Sequence, residues 1–198
     1  MLQILLVRHG RPAVDYRTRI PGSAFGAWLR SYDEAPLDVT FLPPADLRAR
    51  VSTIGWIASS PLRRSRESAA LLAPGRPVVC DALFAEAGIP STIHVSLALR
   101  PRHWTLLLRV AWLCGWSRGA ESVHEARRRA HRAAARLVEL AREHRSVILI
   151  GHGEINRMIS RVLRRMGWHG PVSGSAYWSV AELQRENASE AGGVVSSS

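Results

Sequence analysis

The chain has 198 residues and a formal net charge of +11, and all 27 of its basic residues are arginines because it contains no lysine. Its length suits one domain with a sizeable core, and its 46% apolar and 22% charged content are ordinary for a globular protein. The most apolar long stretch, Trp104 to Cys114, is shorter than a membrane span and contains Arg109, which predicts a core-facing helix, with a membrane-surface helix as the alternative. The arginine excess fits either an anionic partner or simply a solvated surface, and composition does not separate the two.

The first element is an apolar run at residues 2–7, which predicts a buried strand that ends in Arg8-His9-Gly10. Strand ends are where open α/β sheets place their chemistry. A cation, an imidazole and a glycine at this place indicate a site for an anion, with His9 as a candidate nucleophile and Arg8 as its partner.

The following elements alternate between helices and strands. Turn-forming residues dominate positions 11–44, and a loop of this length either lines a functional pocket or packs around its own aromatic side chains. The periodicity then predicts short helices at 26–32 and 45–51, a strand at 52–58, a helix opened by Ser60 and Pro61, a strand at 77–80, an extended segment at 93–99, helices at 101–113 and 123–144, a strand at 146–150, a helix at 154–166 and a last strand at 175–183.

These elements predict an α/β fold: a single-domain, three-layer sandwich with a mostly parallel central sheet and helices on both faces. The domain is expected to cover residues 1–185, with residues 186–198 as a disordered tail. Cys80 and Cys114 lie in apolar contexts and are expected to be buried free thiols, with a disulfide between them as the alternative. Met1 to Val7 lacks the basic start of a secretory signal, so a cytoplasmic location is expected. The tryptophan-rich stretch from Trp104 to Trp116 fits either the core or a homodimer interface.

Three arginines, Arg63, Arg64 and Arg66, fall at the start of the helix that follows the 52–58 strand. Cations are unfavourable at the positive end of a helix unless an anion neutralises both. Helical spacing sends the three side chains in different directions, so we expect one of them to face the site.

Glu86 is the only acidic residue between Asp81 and Glu121. Its apolar surroundings suit a carboxyl group that must carry a proton and act as a general acid. Read alone, it is more typical of an ordinary surface carboxylate in a loop.

Gly151-His152-Gly153 repeats the layout of the opening triplet, because it follows the strongest strand of the chain. Two histidines beside glycines at the ends of buried strands favour a functional site over a structural role. With a basic helix start and an isolated glutamate, they form the parts of a phosphoryl-transfer site.

The chain resembles the histidine phosphatase superfamily, the phosphoglycerate-mutase-like group. The resemblance rests on ordered motifs that span residues 6–153. They are Leu6-Val7-Arg8-His9-Gly10, the stretch Ser60-Pro61-Leu62-Arg63-Arg64-Ser65-Arg66-Glu67-Ser68-Ala69, Gly151-His152-Gly153 and a weaker Glu121-Ser122.

The resemblance implies a role for each of several site residues. His9 is the nucleophile that becomes phosphohistidine, Arg8 and Arg64 bind the phosphate, and His152 stabilises the transferring phosphoryl group. Glu86 falls at the position of the proton donor. The substrate-binding candidates are Arg11, Tyr16, Arg17, Gly153 and Glu121. No metal and no cofactor is expected, because fixed cations take the role of a metal ion.

Some positions depart from the family pattern. Ser65 and Ser68 replace residues that are often Ala and Thr, and residues 11–16 lack an Asn that often follows the first histidine. The mutase-type sequence around the proton donor is absent too, which favours hydrolysis over mutase chemistry.

The leading hypothesis is a metal-independent phosphomonoesterase that acts on a small phosphorylated substrate, with no nucleic-acid or membrane partner. The enzymatic alternatives are a phosphoglycerate mutase and a protein phosphohistidine phosphatase. An alternative of another class is a non-catalytic module that binds phosphate or nucleic acid.

Overall fold

The computed structural model describes residues 1–186. The strands are β1 (Leu2–Arg8), β2 (Ile20–Pro21), β3 (Trp56–Ser59), β4 (Val79–Cys80), β5 (Ala98–Leu99), β6 (Ser146–Gly151) and β7 (Val180–Arg185). The helices are α1 (Gly22–Glu34), α2 (Ala45–Ser52), α3 (Arg63–Leu72), α4 (Pro101–Leu113), α5 (Val123–His144) and α6 (Gly153–Arg165), and a short 3-10 turn covers Ala82–Phe84. Apart from Glu186, the predicted tail lies outside the described residues.

The central sheet has five strands in the order β4-β3-β6-β1-β7, and β7 alone runs antiparallel to its neighbour. Side chains alternate across it as the pleat requires. In β1, Ile4 and Leu6 pack beneath α5 and α6, whereas Leu5 and Val7 face the side that α2 and α3 cover. The prediction of an α/β sandwich with helices on both faces is therefore confirmed.

A small cap lies outside this sandwich. It consists of α1, α4 and the two-stranded β2-β5 ribbon. Its own core gathers Phe25, Trp104 and Leu108, and the indole N–H of Trp104 donates to the carbonyl of Ile20. The turn-rich stretch after the first strand thus contains a full helix, longer than the short one at 26–32 that was predicted.

Several predicted boundaries are wrong. The helix at 45–51 extends through Ser52, and β3 begins only at Trp56, because its pairing with Val147–Ile150 of β6 sets its register. The last strand begins at Val180 and not at 175, since the chain before it forms a loop in which Trp178 adopts a φ of 61°. Cys80 and Cys114 are free thiols but exposed, which corrects the prediction that they are buried.

Ser60 does not cap α3 as predicted. The helix begins at Arg63, and its N-cap residue is Leu62, which makes no side-chain cap. The hydroxyl of Ser60 accepts a hydrogen bond from the backbone N–H of Leu62 at 3.3 Å, before the helix begins, and lies 2.7 Å from Nε2 of His152. The capping box at the start of α5 is present as predicted, with Ser122 and Glu125 in reciprocal hydrogen bonds.

Candidate active site

The carboxyl ends of three parallel strands place the predicted residues together. Arg8 at the end of β1 pairs with Gly151 at the end of β6. The backbone N–H of His9 donates to the carbonyl of Gly151 at 3.0 Å, and that of Ser60 donates to Ile150 at 3.1 Å. His9, His152 and the chain that leads into α3 therefore leave the same edge of the sheet.

The imidazole of His9 is held in one tautomer. Its Nδ1 lies 2.7 Å from the carbonyl oxygen of Gly10, which accepts hydrogen bonds only, so Nδ1 carries the proton. Nε2 is left with a lone pair, and it accepts a hydrogen bond from Nε of Arg64 at 3.2 Å. Burial, then the charges of Arg64 and Arg8, hold the pKa of His9 well below its usual range. Nε2 of His9 is consequently an unprotonated nitrogen of a neutral imidazole next to two cations.

Gly10 allows a close approach at this point. A Cβ on Gly10 would lie 2.3 Å from the indole ring of Trp178. Its backbone N–H donates to Oγ of Ser68 at 2.9 Å, and that hydroxyl in turn donates to the carbonyl of Arg64. Ser68 thus joins the loop of the nucleophile to the helix of the arginine clamp.

Arg64 is the arginine of the α3 cluster that enters the site. It is 2% exposed, whereas Arg63 and Arg66 face the solvent. Its guanidinium donates from Nε to His9 and from an NH group to Asp33 at 2.6 Å, and it lies over the ring of Tyr32 at 4.8 Å from the ring centre. These contacts fix the plane of the guanidinium beside the nucleophile.

His152 is fully buried, and its ring centre lies 5.0 Å from that of His9. Its Nε2 contacts the hydroxyls of Ser60 at 2.7 Å and Ser65 at 3.2 Å, which act as donors when Nε2 is the unprotonated nitrogen. Nδ1 then carries the proton and has no partner within residues 1–186. Burial above all, together with the positive charges of Arg64 and Arg8, lowers the pKa of His152 as well.

Arg8 supplies a second cation and a second unpartnered donor. One of its terminal nitrogens donates to the carbonyl of Ser175, and its guanidinium lies over the ring of Tyr177 at 4.4 Å. Its buried Nε, like Nδ1 of His152, has no hydrogen-bond partner in the described chain. Buried donors without partners are uncommon in folded proteins, and a bound anion would satisfy both.

Glu86 lines the same cleft as Arg8 and Arg64. Its Oε1 accepts hydrogen bonds from the backbone N–H groups of Ala87 at 2.8 Å and Ile155 at 3.1 Å. Ile155 lies in the first turn of α6, so the carboxyl group is fixed against the start of that helix. Its surroundings are therefore more polar than the apolar sequence around it predicts.

Glu121 does not line this cleft. Both of its carboxylate oxygens bind Arg129 of α5, at 2.8 and 2.6 Å. The same guanidinium donates to the carbonyls of Leu83, Ala85 and Glu86. Glu121 and Arg129 therefore brace the loop that carries Glu86.

Of the other candidate substrate-binding residues, some lie at the cleft and one does not. Arg11 and Tyr16 line the cleft, and the guanidinium of Arg11 lies over the ring of Tyr16 at 5.1 Å. Gly153 is the first residue of α6, and a Cβ at this position would lie 3.6 Å from Nε of Arg8. Arg17 is exposed and does not line the cleft, since its backbone N–H turns back to Asp15.

Sequence reasoning missed several residues around the site. Tyr32, Asp33 and Tyr177 contact the two arginines, and Arg129 supports Glu86. No local motif marks them, because they reach the site from distant segments. Ser65 and Ser68 had drawn notice only as departures from a pattern, yet both are fully buried and hydrogen-bonded to the site.

The cleft has a volume of about 550 Å³ and opens from the two arginines towards the cap. Beyond the two arginines, it is lined by aromatic and aliphatic side chains of α1 and the neighbouring loops, and by Arg102, Thr105 and Arg109 of α4. Within residues 1–186, no group of three or more His, Cys, Asp or Glu side chains is arranged to hold a metal ion. No described helix is long and apolar enough to cross a membrane.

Comparison with known proteins settles the family. Residues 45–189 match the histidine phosphatase superfamily (branch 1). The chain belongs to this superfamily. The matched region contains Arg64, Glu86 and His152, and the structure brings Arg8 and His9 to them from outside it.

The histidine phosphatase has relatives of several described activities. A protein described as a probable phosphoglycerate mutase from Citrobacter koseri is 28% identical over 85% of this chain and 78% of its own length. A mycobacterial glucosyl-3-phosphoglycerate phosphatase solved with inorganic phosphate has a TM-score of 0.60 and 22% identity, with 93% of this chain and 90% of that chain covered. A phosphoserine phosphatase from Entamoeba histolytica has a TM-score of 0.59 and 15% identity, with 92% and 90% covered. The two solved structures share the fold with this chain.

Proposed function

We propose that this histidine phosphatase is a phosphomonoesterase that works without a metal ion and through a phosphohistidine at His9. The observation that carries the proposal is the state of His9: neutral, with the lone pair of Nε2 next to Arg64 and with Arg8 nearby. A nucleophile must be unprotonated to attack phosphorus, and fixed cations must balance the charge of the phosphoryl oxygens.

In the first step, Nε2 of His9 attacks phosphorus, and the bond from phosphorus to the alcohol oxygen breaks. Arg8, Arg64 and the N–H of His152 stabilise the charge on the phosphoryl oxygens. Glu86 gives its proton to the leaving oxygen, so the alcohol departs neutral and the enzyme holds phosphohistidine. Its position in the same cleft as the two arginines supports this role.

In the second step, Glu86 takes a proton from a water molecule that attacks the phosphohistidine. The bond from phosphorus to nitrogen breaks, inorganic phosphate leaves, and His9 and Glu86 return to their starting states. A carboxyl group that alternates as acid and base is the expected partner of a two-step transfer.

A phosphoglycerate mutase is the second candidate, supported by the relative from Citrobacter koseri. In that case, the phosphoryl group returns from His9 to the other hydroxyl of the same product and not to water. No contact within residues 1–186 favours the two remaining alternatives, which are a protein phosphohistidine phosphatase and a non-catalytic binding module.

Phosphate release from p-nitrophenyl phosphate tests the proposal. Wild type turns the ester over, His9→Ala does not, and the exposed His124→Ala serves as the matched control with wild-type activity. The proposal also predicts that EDTA leaves the rate unchanged. With 3-phosphoglycerate, free phosphate indicates the phosphatase, and 2-phosphoglycerate indicates the mutase. Inactivity of the wild type on a broad panel of esters would overturn the enzymatic proposal.

The expected partner is a small phosphorylated substrate. A cytoplasmic location, the absence of a nucleic-acid partner and a homodimer stay predictions. Size-exclusion chromatography with light scattering measures the oligomeric state, and a salt titration of nucleic-acid binding measures any contribution of the arginine excess.

A further inference from the structure

The wall of the cleft that α1 forms is an aromatic surface. One face of α1 presents Trp28, Leu29 and Tyr32 to the cleft. The rings of Trp28 and Tyr32 stack at 5.4 Å, and Tyr32 in turn lies under the guanidinium of Arg64. The aromatic surface therefore starts at the phosphate clamp and continues outward. The indole N–H of Trp28 donates to the carbonyl of Asp15 at 2.8 Å, which fixes the plane of this ring.

Both acidic side chains of the cleft and its Arg109 are already engaged by other protein groups, while Arg11, Arg102 and Thr105 also line it. Its two carboxylates are engaged, Asp33 by Arg64 and Glu86 by backbone N–H groups. Arg109 donates to the carbonyls of Ala87 and Gly88 and lies over the ring of Trp112. Burial of sugar or glycerate hydroxyls against Trp28 and its neighbours would leave them without partners, whereas an apolar body would gain from the same contact.

We propose that the substrate is a phosphomonoester of an extended apolar or aromatic alcohol, whose body packs against Tyr32 and Trp28 while Arg8 and Arg64 hold its phosphate. This inference rests on the proposed phosphatase activity and names the substrate class of the same site. Trp28 is the residue that we expect to determine the preference.

A series of n-alkyl phosphates from ethyl to octyl tests the proposal, because the leaving alcohol has nearly the same acidity throughout. Differences in kcat/KM then report binding of the chain and not chemistry. We expect kcat/KM to rise by about fourfold for each methylene that enters the cleft and at least tenfold over the series. Glycerol 3-phosphate and 3-phosphoglycerate should be no better than ethyl phosphate. Trp28→Ala should flatten the series, and Trp116→Ala, which alters a tryptophan outside the cleft, should keep the wild-type slope.

The outcomes separate this proposal from the one on which it rests. A wild-type kcat/KM that is independent of chain length, with every ester still hydrolysed, overturns the apolar substrate class and leaves the phosphatase intact. No turnover of any ester overturns the phosphatase itself. The wild-type series alone decides if Trp28→Ala does not fold, which circular dichroism would show.

The outer face of α4 carries a second, independent inference. The helix has three faces: Trp104, Leu108 and Trp112 are buried, and Arg102, Thr105 and Arg109 line the cleft. The third face is apolar and exposed to solvent, with 51–62% of each side chain accessible, and consists of Leu106, Leu107, Val110 and Leu113. A contiguous exposed apolar face of this kind indicates a surface that binds something.

Charge favours one occupant of this face. The chain has no acidic residue between Glu86 and Glu121, and Arg100, Arg102 and Arg118 in this region are exposed. A second copy would bring these arginines against arginines of the same kind, with no carboxylate of this region to pair with them. An anionic lipid surface offers both apolar contact and negative charge.

We infer that the outer face of α4 docks on an anionic lipid surface. This differs from the expectation of no membrane partner. The cleft-lining face of α4 adjoins the outer face, so docking would bring the mouth of the cleft to the lipid. The contact is peripheral, since it uses one exposed strip of an otherwise packed helix.

Sedimentation with vesicles tests the docking. We expect binding to vesicles that contain phosphatidylglycerol, none to phosphatidylcholine alone, and weaker binding at high salt. The double variant L106Q/V110Q should lose binding, while L71Q, which alters an exposed leucine of α3, should not. Absence of binding to the anionic vesicles overturns the inference. A dimer that the double variant abolishes, without vesicle binding, assigns the face to a second copy.

Discussion

Nε of Arg64 donates a hydrogen bond to Nε2 of His9 across 3.2 Å, so the proposed phosphate clamp and the proposed nucleophile are in direct contact. The other ring nitrogen of His9 is committed to the carbonyl of Gly10. The two contacts fix the tautomer, the orientation and the charge of the imidazole before a substrate arrives. Such preorganisation is the main means by which a site of fixed cations accelerates phosphoryl transfer.

Replacement of Arg64 by lysine should be costly despite the retained charge. A lysine ammonium cannot donate to His9 and Asp33 from one fixed plane, as the guanidinium does, and also present a paired donor to a phosphoryl group. We expect Arg64→Lys to lower kcat/KM on the order of 10²–10³-fold. The neighbouring Arg63→Lys, which changes an exposed arginine paired with Glu67, is the matched control. Equal and small effects of both variants would contradict the clamp.

The unfolding free energy should depend on pH through the two buried histidines. Both have a pKa lowered from 6.5 in the folded state, so the unfolded state binds more protons once the pH falls below 6.5. The unfolding free energy is therefore expected to fall with decreasing pH, by up to about 1.4 kcal/mol per pH unit for each histidine. Urea titrations at pH 7, 6 and 5 measure this slope.

The variant His9→Gln provides the control for that slope. It removes one of the two titrating groups, and about half of the pH dependence should disappear. The carboxylates whose pKa is lowered by folding have reference pKa values of 3.8 and 4.5. Their effect on the unfolding free energy therefore falls mainly below pH 5. A wild-type stability that stays constant between pH 7 and pH 5 would contradict the burial of neutral histidines.

Glu86 should matter most for poor leaving groups. An alkoxide needs a proton as it departs, whereas p-nitrophenolate is stable without one. We expect Glu86→Gln to lose about 10²–10⁴-fold on an alkyl phosphate and much less on p-nitrophenyl phosphate. Glu143→Gln, at a solvent-exposed carboxylate, should behave as wild type on both. Equal loss on the two esters would argue against the general-acid role.

Arg129 should act through Glu86. It donates to three carbonyls of the loop that carries Glu86 and pairs with Glu121. Arg129→Met frees this loop, so the loss of kcat should again be greater on an alkyl phosphate than on p-nitrophenyl phosphate. Arg128→Met changes the exposed neighbour on the same helix and is the control. A uniform loss on both esters, with a lowered melting temperature, would indicate support of the fold alone.

The sequence predicted the parts of the fold and site that local pattern controls. The apolar runs of β1 and β6 and the histidines that follow them are visible in the printed chain, and the parallel register of Arg8 with Gly151 brings those histidines together. Motif resemblance added Arg64 and Glu86. These features are local, so a linear pattern is enough to find them.

The remainder depends on contacts between distant segments. Asp33 reaches Arg64 across 31 positions, and Arg129 reaches the carbonyl of Glu86 across 43. Ser60 could be assigned to a helix cap from its sequence, but the arrival of His152 gives its hydroxyl another partner. The boundary of β3 likewise follows from its pairing with β6, which no propensity encodes.

The most direct test of the account is to trap the covalent intermediate. After a short incubation with a phosphomonoester labelled in its phosphoryl group, the protein is quenched in alkali, where a phosphorus–nitrogen bond survives better than in acid. We predict label on wild-type enzyme that acid removes, that peptide mapping assigns to His9, and that His9→Ala lacks. Rapid turnover with no label on the protein, or the same label on the His9→Ala variant, would contradict nucleophilic attack by His9.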